Sequence, residues 1–104
     1  MEIDWMNIDF NEQELFLLQK FCYGRRFCNR HIQKESILSA IPSNEIKKYK
    51  KALNNLLKKG IIAKYKTQNR YDLCFPHKNY SSSIEVLKKY EKQYDFIDTC
   101  YFDF

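Results

Sequence analysis

The chain has 104 residues, of which 44% are hydrophobic and 30% charged, with a net charge of +5. That is enough for one domain with one modest core, in an ordinary globular balance rather than a disordered one. No apolar run approaches the roughly 20 residues a membrane span needs, and the acidic opening is not that of a secretory signal peptide, so a cytoplasmic location is expected.

The charge is unevenly placed. Residues 1–14 carry five carboxylates and no base, residues 91–104 carry four carboxylates and one lysine, and residues 15–90 carry 17 bases and four acids. A basic body between acidic, aromatic ends suits a polyanion-binding face with its termini turned elsewhere.

In chain order, Ile3, Trp5, Met6, Ile8 and Phe10 make residues 1–10 too apolar for a loose tail. Asn11 and Glu14 form a capping box for a first helix, and Phe10 and Leu15 are placed for a hydrophobic staple. Leu15, Leu18 and Cys22 share a face, and Gly24 ends the helix. Arg25–Ile32 is expected to be a brief extended segment. A second short helix covers Gln33–Ile41, closed by Pro42. Ser43 or Asn44 caps the third helix. It turns Ile46, Tyr49, Leu53, Leu56 and Leu57 inward, while its lysines face out. Gly60 stops it. Ile61–Lys66 and Tyr71–Phe75 are two strands around the polar turn Thr67–Arg70, with Tyr65 and Tyr71 on the buried face and Asp72 and Cys74 opposite. Ser82 and Glu85 make a capping box for a last helix. Leu87, Tyr90, Tyr94, Ile97, Tyr101 and Phe104 then recur every three or four residues as a heptad seam.

The expected fold class is mainly α with a small antiparallel hairpin (α+β). The order helix, short strand, helix, turn, helix, strand, turn, strand, helix resembles the winged helix-turn-helix superfamily over about residues 11–90. Its best local pattern is ALNNLLKKGII, Ala52–Ile62, and it is most like small archaeal or bacterial regulators. On that resemblance, residues 11–80 form the winged domain and 81–104 an additional C-terminal helix, a candidate dimerisation element.

The resemblance implies that the third helix enters a major groove of double-stranded DNA and that the hairpin contacts the backbone. Residues near the start of such a helix meet base edges, here Ser43, Asn44, Lys47, Lys48 and Lys51. Lys64, Lys66, Gln68, Asn69 and Arg70 on the wing, with Arg25 and Arg26, are expected on phosphate. The expected function is transcription regulation as a homodimer joined through Trp5, Leu87, Tyr90, Tyr94, Ile97 and Tyr101, the alternative being that the seam folds back on the first helix and completes the core. A protein-interaction adaptor and an RNA binder are the competing readings.

Cys28 with His31 and Cys74 with His77 are two Cys-x-x-His pairs holding the ligand types of a zinc site. Positions i and i+3 of a strand face opposite sides, so free thiols are the preferred expectation. Without an export signal, disulfides are not the first reading either. No phosphate loop, serine nucleophile motif or carboxylate–histidine spacing is present, so neither an enzyme nor a cofactor is expected.

Overall fold

The computed structural model describes residues 3–100. It is a mixed α+β chain of four helices and one two-stranded antiparallel hairpin among those residues: α1 (Glu12–Tyr23), α2 (Lys34–Leu38), α3 (Ile46–Lys58), β1 (Ala63–Lys66), β2 (Tyr71–Cys74) and α4 (Tyr80–Tyr90). Single 3-10 turns cover Trp5–Asn7 and His77–Asn79. None of the described helices is long and apolar enough to cross a membrane.

The start of α1 is written in its first residues. The Asn11 side-chain oxygen accepts from the Glu14 N–H at 2.8 Å, and a Glu14 carboxylate oxygen accepts from the Asn11 N–H at 2.9 Å, which satisfies two orphan donors of the helix end. Phe10 and Leu15 are both buried beside this cap. The other Glu14 oxygen accepts from Lys59 Nζ at 3.0 Å, tying the start of α1 to the end of α3. Helix α1 ends at Gly24 as expected, but without a left-handed glycine. Gly24 keeps right-handed angles, and Arg25 takes the left-handed conformation at φ 48°. Gly60 does stop α3 in the left-handed region, at φ 77°.

Helix α3 begins at Ile46 with Glu45 as its cap residue and no side-chain cap bond. Ser43 and Asn44 therefore lie before the cap rather than on it. Ala52, Leu53 and Leu56 are fully buried, with Ile46, Tyr49 and Leu57 packed at the core's edge. They meet α1, whose Leu15, Leu17, Leu18 and Phe21 are also wholly buried. Removing such side chains from water supplies most of the drive to fold, about 1.5–3 kcal/mol for each.

In the hairpin, Ala63 faces Cys74 and Lys66 faces Tyr71. The far edge of β2 is also occupied. Ile32 and Leu73 exchange two backbone hydrogen bonds, at 2.8 and 2.7 Å, in an isolated antiparallel bridge. The segment before α2 is not the continuous extended run expected: Phe27 and Ile32 make single bridges to the strand end, and the chain turns between them, with the Arg30 N–H donating to the Phe27 carbonyl at 2.7 Å. Burial of β2 on this side overturns the simple alternation expected for it. Asp72, Leu73, Cys74 and Phe75 are all buried, while Tyr65 and Tyr71 are 41% and 58% exposed.

Cys28 and Cys74 form a disulfide across 46 residues of sequence, which corrects the expectation of free thiols. It lies between two β bridges, Phe27 to Phe75 and Ile32 to Leu73.

The C-terminal seam is not one helix. Helix α4 starts at Tyr80, with Ser82 and Glu85 inside it, so their capping box does not form. The Asn79 amide is used elsewhere, donating to the Gly60 and Ile61 carbonyls at 3.1 and 3.0 Å. The helix ends at Tyr90 and the chain turns back. Gln19 donates to the Phe96 carbonyl and accepts from the Asp98 N–H, both at 2.9 Å. Leu87 and Ile97 are buried in the chain's own core, and Tyr90 and Tyr94 pack against it. These four residues therefore fold back rather than offer a continuous dimer seam. Trp5 is half-buried against the same core. Tyr101 and Phe104 lie outside the described residues.

Candidate nucleic-acid interface

The outer stripe of α3 consists of Lys47, Lys51, Asn54 and Lys58, spaced four, three and four apart, with Lys48 and Lys50 flanking it. Lys47, Lys48, Lys50, Lys51, Asn54 and Lys58 are all exposed. Among the described residues, none of these lysines has a carboxylate within 4.0 Å. Lys47 and Lys48 sit in the first turn, where the helix macrodipole disfavours a cation by about 0.3–1 kcal/mol each. Local stability does not explain that choice of residue.

The hairpin presents a second basic surface. Its register puts Lys64, Lys66, Tyr71 and Leu73 on one face and Ala63, Tyr65, Asp72 and Cys74 on the other. The first face borders α3 across a cleft that Lys64 and Tyr71 share with Asn54 and Leu57. Gln68 and Asn69 form the exposed tip. The structure thus brings Lys47, Lys51, Lys64 and Lys66 onto neighbouring elements, with Ser43 and Asn44 exposed just ahead of α3.

Three expected contacts are placed differently. Arg70 Nε donates to an Asp72 oxygen at 2.8 Å, so its guanidinium is partly committed within the hairpin. Arg25 lies beside Tyr80 at the start of α4, where it opposes the upward push that burial gives the Tyr80 hydroxyl. Arg26 is half-buried and lines a different cleft with Lys20 and Tyr23, and its carbonyl accepts from the Phe75 N–H at 2.7 Å.

The other hairpin face holds a group that sequence patterning missed. Buried Asp72 accepts from Arg70 and lies 2.6 Å from His31 Nδ1, and the His31 ring stacks on Tyr65 with centroids 4.1 Å apart. The only sequence-level signal was an aspartate at a strand position flanked by apolar residues. The Arg70 hydrogen bond, followed by the His31 bond and both charges, holds the Asp72 carboxyl below its usual range against the opposing effect of burial. A depressed folded pKa stabilises the fold above the unfolded value of about 3.9, and that contribution is lost as pH falls through the folded value. Urea midpoints of the wild-type protein should therefore fall more steeply below about pH 4 than those of Asp72→Asn. Equal slopes in the two proteins would show that Asp72 is not ionised in this arrangement.

The zinc quartet does not assemble. Cys28 and Cys74 are bonded to each other, His31 faces Asp72, and His77 packs on Phe27 with centroids 4.6 Å apart. Among the described residues, no group of three or more His, Cys, Asp or Glu could hold a metal ion. Neither remaining cysteine is an activated thiolate. Burial pushes Cys22 up to about 12, and a hydrogen bond with Asp98 raises Cys100. No family model, no curated protein and no solved structure matches the chain.

Proposed function

We propose that the chain is a winged helix-turn-helix module that binds double-stranded DNA, with α2 and α3 as the helix-turn-helix and β1–β2 as the wing. The observation that carries this reading is the lysine face of α3, turned to water and without carboxylate partners among the described residues, beside the Lys64 and Lys66 face of the hairpin. The Ile32–Leu73 bridge supports it by giving β2 the short third partner such a domain uses. A helix fits the major groove with its first turns nearest the bases, and the hairpin lysines then meet phosphate. Transcription regulation is the use such binding serves. Two copies on a two-fold site would join through the Trp5–Met6 surface, where Met6 is 90% exposed, rather than through the folded-back seam.

The test is binding to a duplex library at several salt concentrations, with Lys47→Ala/Lys51→Ala alongside. The variant should lose the enriched site, and its log–log salt slope should shrink by about 0.9 for each phosphate it no longer neutralises. Its thermal stability should hold or rise slightly, because cations leave the positive end of α3. Binding that is weak, sequence-indifferent and equal in the two proteins would reject the reading. A preference for RNA over duplex would replace it.

A further inference from the structure

The cleft between α3 and the hairpin has a floor of Leu53, Leu57 and Leu73 and a rim of Lys34, Asn54, Lys64 and Tyr71. Its volume is about 220 Å³. That is below the ~300–1,000 Å³ of a pocket for a drug-sized molecule, so it suits a single nucleobase with its phosphate at the rim rather than a larger cofactor.

The rim chemistry is specific. Tyr71 is a strand residue with 58% of its surface in water. Lys64 Nζ lies over the Tyr71 ring, 5.6 Å from its centroid, so an aromatic ring and an ammonium group share this rim. Lys34, at the start of α2, and Lys64 have no carboxylate within 4.0 Å among the described residues. A lysine in the first turn of α2 is again on the unfavourable side of a helix dipole. Asn54 adds an amide with both donor and acceptor, able to meet the edge of a base. An apolar floor, an aromatic ring, an amide and two ammonium groups without carboxylate partners together match a nucleoside monophosphate unit.

We propose that this cleft holds one unstacked nucleotide, with its base on Tyr71, its edge at Asn54 and its phosphate between Lys34 and Lys64. The proposal rests on the DNA reading for the polymer that supplies the nucleotide. On that polymer it makes the preferred substrate a duplex with one unpaired base beside the site read by α3. The energetic logic is that of single-strand binders: an unpaired base is free to stack, whereas a paired one must first be extruded.

The experiment has two arms. In the first, dAMP and inorganic phosphate are titrated into the wild-type protein, Tyr71→Ala, Tyr71→Phe and Lys34→Ala/Lys64→Ala, followed by amide chemical shifts. Expected is dAMP binding that weakens about 5- to 150-fold in Tyr71→Ala and within about twofold in Tyr71→Phe, while inorganic phosphate binds both tyrosine variants like wild type. Lys34→Ala/Lys64→Ala should lose both ligands. Equal binding of dAMP to wild type and Tyr71→Ala, or of dAMP and inorganic phosphate to wild type, would overturn the proposal by leaving charge alone. In the second arm, a perfect duplex is compared with the same duplex carrying a one-nucleotide bulge. A Tyr71-dependent preference for the bulge is expected. Duplex binding with no such preference and no dAMP binding overturns the cleft proposal and leaves the DNA reading standing. Tyr71-dependent dAMP binding without any duplex binding overturns the DNA reading and leaves the cleft.

Discussion

Reduction of the Cys28–Cys74 bond is expected to cost about 4 kcal/mol of stability, from the loop-closure entropy of a cross-link spanning 46 residues. For a domain of this size that corresponds to a fall in Tm of roughly 15–30 °C. A dithiol reductant, or the Cys28→Ser/Cys74→Ser protein, should show the same fall, since both restore the same freedom to the unfolded chain. The native arrangement should survive at room temperature. Ile32 and Leu73 keep their two backbone bonds, and the Phe75 N–H keeps the Arg26 carbonyl. Alkylation of the denatured protein before reduction should label two thiols, Cys22 and Cys100, and after reduction four. Four labelled before reduction, with no effect of reductant on Tm, would mean that the bond does not form. Disulfides of this kind persist in oxidising compartments, so the labelling pattern in freshly lysed cells also tests the cytoplasmic expectation.

The pairing shows where sequence reasoning stopped. Local features were readable because their partners are a few residues away. Asn11 and Glu14 meet within one helical turn, and the apolar stripe of α3 repeats at 3.6 residues. The turn at Gly60 is fixed by its own backbone. The hairpin was readable for the same reason. What joins Cys28 to Cys74 is the passage of the 27–32 segment along the outer edge of β2, and no local pattern encodes it. That passage also buries Asp72 against His31 and Arg70. It therefore upset the period-two reading that placed Tyr65 and Tyr71 in the core.

The C-terminal seam failed for a different reason. Leu87, Tyr90, Tyr94 and Ile97 all pack toward the core, as their spacing suggested. Three- and four-residue spacing is equally met by one helix or by a helix followed by successive turns. The Gln19 side chain settles the matter by binding the backbone at Phe96 and Asp98. The candidate interface was legible in outline because solvent-facing lysines obey the same helical period as the core beneath them. The cleft at its centre was not, because Lys34 and Tyr71 are distant in sequence and meet only when α2 and the hairpin flank α3.

Phe75→Ala should be the most damaging single substitution around the hairpin, costing about 3–5 kcal/mol. Phe75 is wholly buried. Its ring stacks on Phe27 with centroids 6.1 Å apart and lies 6.5 Å from Phe21 of α1. One side chain thus joins the strand end, the segment before α2 and the first helix. Truncation removes its transfer free energy and leaves a void that three separate elements would have to close. Against a total stability of about 5–15 kcal/mol for a small domain, that is a large fraction. The backbone bond from the Phe75 N–H to Arg26 is unaffected by the substitution, and the disulfide one residue earlier still restrains the strand. The variant is therefore expected to fold at low temperature, with a urea midpoint well below wild type and an unchanged m value. Phe75→Leu should recover most of the loss, because it refills the volume without the ring. A Phe75→Ala midpoint within error of wild type would show that the hairpin is not packed on α1 in this way. The lysine face of the hairpin would then not be held beside α3, and the proposed duplex binding would lose its basis in the two elements together.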